Sequence, residues 1–398
     1  MAAHCFDATT FVGPCNHKAQ GQHHNPPAPG RSHYLKIKRK QVCNKFFIGM
    51  KRIHTILIIL LLAVTYGEAK KSSDDRQMDD FITSLMKKMT LEEKIGQLNL
   101  GGVGSPKVVG SAIGLDEAIR KGLVSSVGGF DAKAAEDAQK FAVENSRMKI
   151  PLITGLDVVH GYYTIFPIPL ASACSWNMPL LEESARVAAD EASAFGINWT
   201  FAPMVDICRD PRWGRIAEGA GEDPCLGSRI GRAMVRGFQG DDLSKPNTLL
   251  ACVKHFALYG ASEAGRDYNT VSMDPVTMYN YYLPPYKAAF DEGAGSGMTS
   301  FNVVNGVPAT GNKWLLTDLL RDQWKFKGFM VSDANSLAEM SEHGMGGAQR
   351  ITELAMNAGL DMDMSSSLYV LCLKKAVEEK RVPLSRIDAA CRRVLEAK

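Results

Sequence analysis

The sequence predicts an α/β protein built as a (β/α)8 barrel of the TIM type. Three observations carry that prediction. Short apolar runs alternate with segments of helical period from Asp79 to the C-terminal Lys398, the signature of a parallel sheet flanked by helices. No Gly-x-Gly-x-x-Gly turn follows the first run, as a dinucleotide-binding sheet would require. Nearly every apolar run is followed by a charged or amide residue, which is where a barrel of parallel strands carries its chemistry.

In chain order, Phe81, Ile82, Leu85, Met86 and Met89 share one helical face, and Thr90 to Glu93 has the spacing of a capping box opening the next helix. Gly101-Gly-Val-Gly104 lacks the later Gly and Lys of a phosphate-binding loop and reads as a plain loop. Strands are expected over 123–127, 151–154, 198–201, 249–253, 297–301, 329–332 and 360–364, with helices between most of them, such as 179–195 and 277–294.

Composition narrows the function. With 45% hydrophobic and 22% charged residues the chain is globular rather than disordered. A net charge of +3 is too small to argue for nucleic-acid binding. Nine cysteines without a C-x-x-C pair argue against zinc fingers and thioredoxin-like chemistry, and no metal-ligand cluster is evident. The charge is also unevenly placed. Nine of the 46 basic and two of the 43 acidic residues fall in 1–69, so the chain from residue 70 onward carries −4.

Residues 1–49 hold a His/Pro-rich stretch and the basic run Lys36 to Lys40 without apolar period, and read as an unstructured or spurious extension rather than a metal- or nucleic-acid-binding tail. Met50-Lys51-Arg52, the apolar run that follows, and Gly67-Glu68-Ala69 form a secretory signal peptide over 50–69. That run falls short of the ~20 apolar residues of a membrane span. The expected location is periplasmic or secreted, with the barrel over 70–398.

Four constellations sit at strand exits. Asp333 follows the run ending at Ser332, and a carboxylate there serves either as a nucleophile kept ionised by nearby cations or as a helix N-cap. Lys254-His255 places two adjacent donors at another exit, to grip hydroxyls or, alternatively, to form one buried ion pair beside a packed histidine. Asp157, with His160, offers a bidentate acceptor for a polyol or a simple turn carboxylate. Cys208 to Pro224, with Arg209, Arg212, Trp213 and Arg215, is either a sugar-binding wall with a stacking Trp or an internally paired, solvated loop. Cys208 and Cys225 flank it and would pair in an oxidising compartment, or else stay as free thiols.

Together these segments resemble glycoside hydrolase family 3, in particular its periplasmic β-glucosidases. The matching pieces are Met89 to Leu98, Gly155-Leu-Asp-Val-Val-His-Gly161, Phe201 to Asp206, Arg209-Asp-Pro-Arg-Trp-Gly-Arg215, Val253-Lys-His-Phe256, Met298 to Asn302 and Gly328 to Asp333, in that order along the chain. The resemblance implies a retaining glycosidase that releases nonreducing β-D-glucose, with Asp333 as nucleophile and no cofactor. Asp157, Arg215, Lys254 and His255 would hold the sugar, Arg266 would add a contact, and Phe301 stands where many members carry Tyr. An oxocarbenium-like transition state needs that pairing of a carboxylate with fixed hydrogen bonds to hydroxyls.

In the β-glucosidase branch the acid/base Glu comes from a second, α/β sandwich domain after the barrel. The segment ending at Lys398 resembles the closing helix of the barrel, so the expectation is that this second domain is absent here. The chain would then cleave ordinary β-glucosides poorly, with the missing domain as a partner. The other reading is a noncatalytic carbohydrate-binding or partner-binding barrel. One-domain β-N-acetylglucosaminidases carry an acid/base His after Lys-His, and the stretch Lys254 to Tyr268 has none.

Overall fold

Leu250–Phe256 is buried at each of its seven positions, as a strand covered on both faces must be. It is the fifth of ten strands among the described residues: β1 (Asn99–Gly102), β2 (Ser126–Gly128), β3 (Ile153–Leu156), β4 (Trp199–Thr200), β5 (Leu250–Phe256), β6 (Ser296–Thr299), β7 (Val303–Val304), β8 (Val307–Pro308), β9 (Phe329–Val331) and β10 (Asp363–Met364). The computed structural model describes residues 73–102, 113–128 and 132–398. The proposed extension and signal peptide therefore lie outside the described residues.

Eight strands form one parallel sheet in the order β10-β1-β2-β3-β4-β5-β6-β9. A parallel bridge from Val331 to Met362 brings its two ends together, so the sheet closes into the expected (β/α)8 barrel. β7 and β8 make a small antiparallel hairpin between β6 and β9.

Helices follow the strands. They are α1 (Ser73–Lys88), α2 (Leu91–Gly96), α3 (Leu115–Arg120), α4 (Ala132–Asn145), α5 (Met178–Ala194), α6 (Pro224–Gln239), α7 (Pro284–Asp291), α8 (Ser336–Glu339), α9 (Ala348–Ala358), α10 (Leu368–Glu378) and α11 (Leu384–Ala397), with π-helical turns over Trp314–Gln323. Local chemistry sets their starts: Asn177 caps Leu180 N ahead of α5, and Asp223 caps Leu226 N ahead of α6, each with Pro in the first turn. Gly237 lets α6 press against α5, since a Cβ there would lie 2.4 Å from Glu182 O.

Trp199 of β4 is fully buried at the centre of the main core. Its Nε1 donates to Ser296 Oγ at 2.8 Å, and its ring meets Phe201 at 4.8 Å and Phe329 at 5.2 Å. One aromatic side chain thus ties β4, β6 and β9 through the barrel interior.

The sequence reading misses β1. Just ahead of the expected glycine loop, Asn99 pairs with Asp363 and Leu100 with both Met364 and Ser126, and Gly101 and Gly102 continue the strand against Val127 and Gly128. Two glycines in four residues hide the strand propensity, and neighbours on either side impose the conformation. The other barrel strands fall within a few residues of expectation, while the β7–β8 hairpin has no expected counterpart.

The Thr90–Glu93 capping box forms as read: Thr90 N donates to Glu93 Oε2 at 2.8 Å, and Glu93 N donates to Thr90 Oγ1 at 3.2 Å. Arg147 also donates to both Glu93 oxygens. Burial raises the Glu93 pKa, but Arg147 and the Thr90 amide outweigh it and hold the carboxyl below its usual range. A depressed folded-state pKa stabilises above the unfolded value near ~4.3 and loses that stability as pH falls through the folded one. Glu93→Gln should therefore cost roughly 1–2 kcal/mol at pH 7 and progressively less below pH ~4, read from urea midpoints.

Candidate active site

The strand exits converge. Asp157 follows β3 directly, Lys254 and His255 lie near the end of β5, and Asp333 stands two residues past β9. Lys254, only 4% exposed, donates Nζ to Asp157 Oδ1 at 2.5 Å. Asp157 itself remains largely open to solvent, so this pair presents one acceptor and one donor to an incoming polar ligand. The peptide joining Lys254 and His255 is cis.

Arg215 comes from the long loop after β4. Its Nε and Nη2 donate to Glu218 at 2.6 and 2.8 Å, and its Nη2 lies 3.1 Å from His255 Nε2. Burial opposes its charge, yet Glu218, Asp206 and Asp333 raise its pKa. Burial likewise raises the Glu218 carboxyl, and the Arg215 pairing overcomes it to leave a net lowering. Both therefore stay charged.

Asp333 Oδ1 accepts from Ala334 N at 2.7 Å. Its Oδ2 is buried with no hydrogen-bond partner among the described residues, 3.6 Å from His255 Nε2. Asn335, not Asp333, occupies the N-cap position of α8, and no side chain caps that helix. The capping alternative is thus set aside. Asp333 thus turns a bare, buried carboxylate oxygen toward the His255 ring, within the field of the Arg215 charge.

An aromatic wall lines one side. Tyr268 stacks tilted on Phe301 at 4.6 Å, Tyr259 meets Trp213 at 5.2 Å, and the His255 ring meets Tyr259 at 5.4 Å. Phe301 is 8% exposed and acts as backing. Trp213, expected as a stacking face, is 1% exposed and donates Nε1 to Asp267 at 2.9 Å. Its indole N–H found an internal acceptor, which pulled the ring inside. The exposed ring of the wall is Tyr268.

The rest of the Arg-rich loop divides. Arg212 forms a bidentate, exposed pair with Asp210, which brings that carboxyl down to about 2. Arg209 lies over the Tyr281 ring at 4.9 Å. Of the loop's three arginines only Arg215 joins the cluster. Arg266 is exposed, and no hydrogen bond or ion pair among the described residues ties its side chain to the others. His160 is satisfied by Phe166 O at 3.1 Å and takes the turn role. Cys208 and Cys225 are unpaired, the first buried and the second exposed.

The sequence gives no role to Tyr286, Tyr259, Tyr268 or Glu339, and marks Asp206 only as a polar residue after a strand. Asp206 is buried beneath His255 and accepts from its backbone N at 2.9 Å and its Nδ1 at 2.8 Å. Glu339 of α8 is half-buried, and burial together with the Asp333 charge raises its pKa. Asp206 was visible as a strand-exit carboxylate. Tyr286 sits on a helix and gave no local signal. Among the described residues no group of three or more His, Cys, Asp and Glu could hold a metal ion.

Residues 90–397 match the model of the glycosyl hydrolase family 3 N-terminal domain. A periplasmic β-glucosidase of Salmonella typhimurium is 43% identical over 326 residues, covering 80% of this chain and 42% of the relative. A putative β-xylosidase of Formosa agariphila is 32% identical over 358 residues, covering 84% of this chain and 47% of the relative. The structure of a β-glucosidase from Listeria innocua in complex with isofagomine superposes with a TM-score of 0.75 at 41% identity, over 80% of this chain and 45% of that one. The Listeria enzyme has also been solved with glucose and, as a mutant, with laminaribiose. The chain spans less than half the length of these relatives.

Proposed function

The chain belongs to glycosyl hydrolase family 3, and from that premise we propose that it takes part in retaining hydrolysis of β-glucosides, with Asp333 forming the glycosyl-enzyme. Asp333 Oδ2 attacks the anomeric carbon as the aglycone leaves with its electron pair. Water then cleaves the resulting ester and releases β-glucose with retained configuration. The observation that carries the proposal is the unpartnered Oδ2 beside His255, within the field of the Arg215 charge.

Asp157 accepts from sugar hydroxyls, and Lys254 and Arg215 donate to them. Tyr268, backed by Phe301, offers a ring face to the sugar or its aglycone. Periplasmic or secreted placement fits the leader over 50–69 and the name of the Salmonella relative. No helix among the described residues is long and apolar enough to cross a membrane.

The test uses 2,4-dinitrophenyl β-glucoside and the matching β-xyloside. A good leaving group departs with little protonation, so the first step does not hinge on which carboxyl acts as general acid. The glucoside should release dinitrophenol, with a first-step rate constant over binding constant about 10-fold or more above the xyloside. An equal or faster xyloside would overturn the sugar assignment. Sugar binding without release would favour the noncatalytic carbohydrate-binding reading, supported by a Lys254–Asp157 pair that suffices to hold hydroxyls.

A further inference from the structure

Asp206 is 1% exposed and receives an unusual number of donors. Its Oδ2 accepts from His255 N and from His255 Nδ1, and its Oδ1 accepts from the hydroxyl of Tyr286, which also lies 2.8 Å from His255 O. Tyr286, on α7, is fully buried. One carboxylate and one phenol therefore grip the backbone and the ring of a single histidine from below.

The two ring nitrogens face opposite demands. An ionised carboxylate only accepts, so Nδ1 must carry the hydrogen. Arg215 only donates, so Nε2, at 3.1 Å from Nη2, must present its lone pair. The neutral Nδ1–H form satisfies both neighbours, and neither the other tautomer nor the imidazolium does. The remaining groups around the ring are Asp333, Glu218, Lys254 and the Tyr259 edge.

We propose that Asp206, with Tyr286, is a positioning residue that fixes His255 as the Nδ1–H tautomer and thereby keeps Asp333 Oδ2 free of a hydrogen bond. In the opposite tautomer, Nε2–H would face Asp333 Oδ2, 3.6 Å away, and a small ring movement would pair them. A hydrogen bond to the attacking lone pair must be broken before attack. Asp206 acts through His255 and touches neither sugar nor reacting atoms. The inference deepens the glycosidase reading and rests on it for its kinetic consequence, though not for the tautomer itself.

Two measurements on the full chain decide it. Long-range proton–nitrogen correlation of histidine-labelled protein, with the His255 signals assigned by their loss in His255→Ala, should show Nδ1 protonated and Nε2 bare. A protonated Nε2 would overturn the proposal whether or not the chain is a glycosidase. Labelling of Asp333 by 2,4-dinitrophenyl 2-deoxy-2-fluoro-β-glucoside is then followed by mass.

Asp206→Asn offers the ring a donor in place of an obligate acceptor. It should shift the tautomer and slow labelling by about 10²-fold, with the half-saturating concentration changed less than about threefold. Tyr286→Phe should fall between. In a His255→Ala background, Asp206→Asn should slow labelling no further. An equal loss with and without His255, or a shifted tautomer with unchanged labelling, overturns the proposal. If the parent chain is not labelled at all, the glycosidase reading fails while the tautomer result still stands or falls alone.

Discussion

Asp333→Asn should slow release of dinitrophenol from the aryl β-glucoside by about 10⁴-fold or more, and should abolish the mass gain from the fluoroglucoside. An amide nitrogen has no lone pair to offer the anomeric carbon, and an amide oxygen is a feeble substitute for a carboxylate. The change should leave the fold intact. Asp333 makes one side-chain hydrogen bond, to its neighbour's amide, and caps no helix. Its loss should move the thermal midpoint by no more than an ordinary surface substitution, within about 0.5 kcal/mol. Retained labelling of Asp333→Asn would remove the residue from the chemistry. A collapsed fold would instead assign it a structural role.

The largest stability effect is expected at Asp361, which belongs to a separate ion-pair cluster. It is 1% exposed and accepts from Arg321 Nη2 and Arg393 Nη1, each at 2.6 Å, and from Met330 N at 2.8 Å. It thereby joins the π-helical turns over Trp314–Gln323, α11 and β9. Burial draws the Arg321 pKa down to about 10 against the pull of Asp361, and Arg321 Nε has no partner among the described residues. Asp361→Ala would leave that buried guanidinium without its carboxylate, held only by the carbonyls of Phe326 and Gly328, at a cost of about 3–5 kcal/mol. Asp361→Asn keeps acceptors for Met330 N and one arginine and should cost less. Urea midpoints at unchanged m-value would check both. A loss under 1 kcal/mol for the alanine variant would mean that water relieves Arg321.

The barrel and its chemical face were legible because parallel strands must be apolar on both sides and must end in the polar groups that meet a ligand. Asp157, Lys254, His255 and Asp333 follow directly from that rule, whereas the loop's density marks three arginines alike and only the family resemblance singles out Arg215. What escaped detection depends on partners distant in sequence. β1 is a strand because β2 and β10 flank it, not because its own residues favour extension. Trp213 faces inward because Asp267, 54 positions away, takes its N–H. Tyr286 reaches Asp206 across 80 positions, from a helix whose surface pattern gives no hint of it.

The pairing of β9 with β6 also has a metrological side. Phe329, Met330 and Val331 align with Ser296, Gly297 and Met298, and on the opposite edge Met362 N donates to Met330 O while Ser332 N and Asn335 N donate to Met362 O and Met364 O. β6 and β10, one on each edge, are therefore the ruler against which the carboxylate of Asp333 is placed. One notch of error on that ruler is about 3.3 Å and turns each side chain to the other face. A gap of 3.6 Å between Asp333 and His255 leaves no room for such an error. Fidelity of two short strands, rather than anything at the carboxylate itself, sets the tolerance to which this site is built.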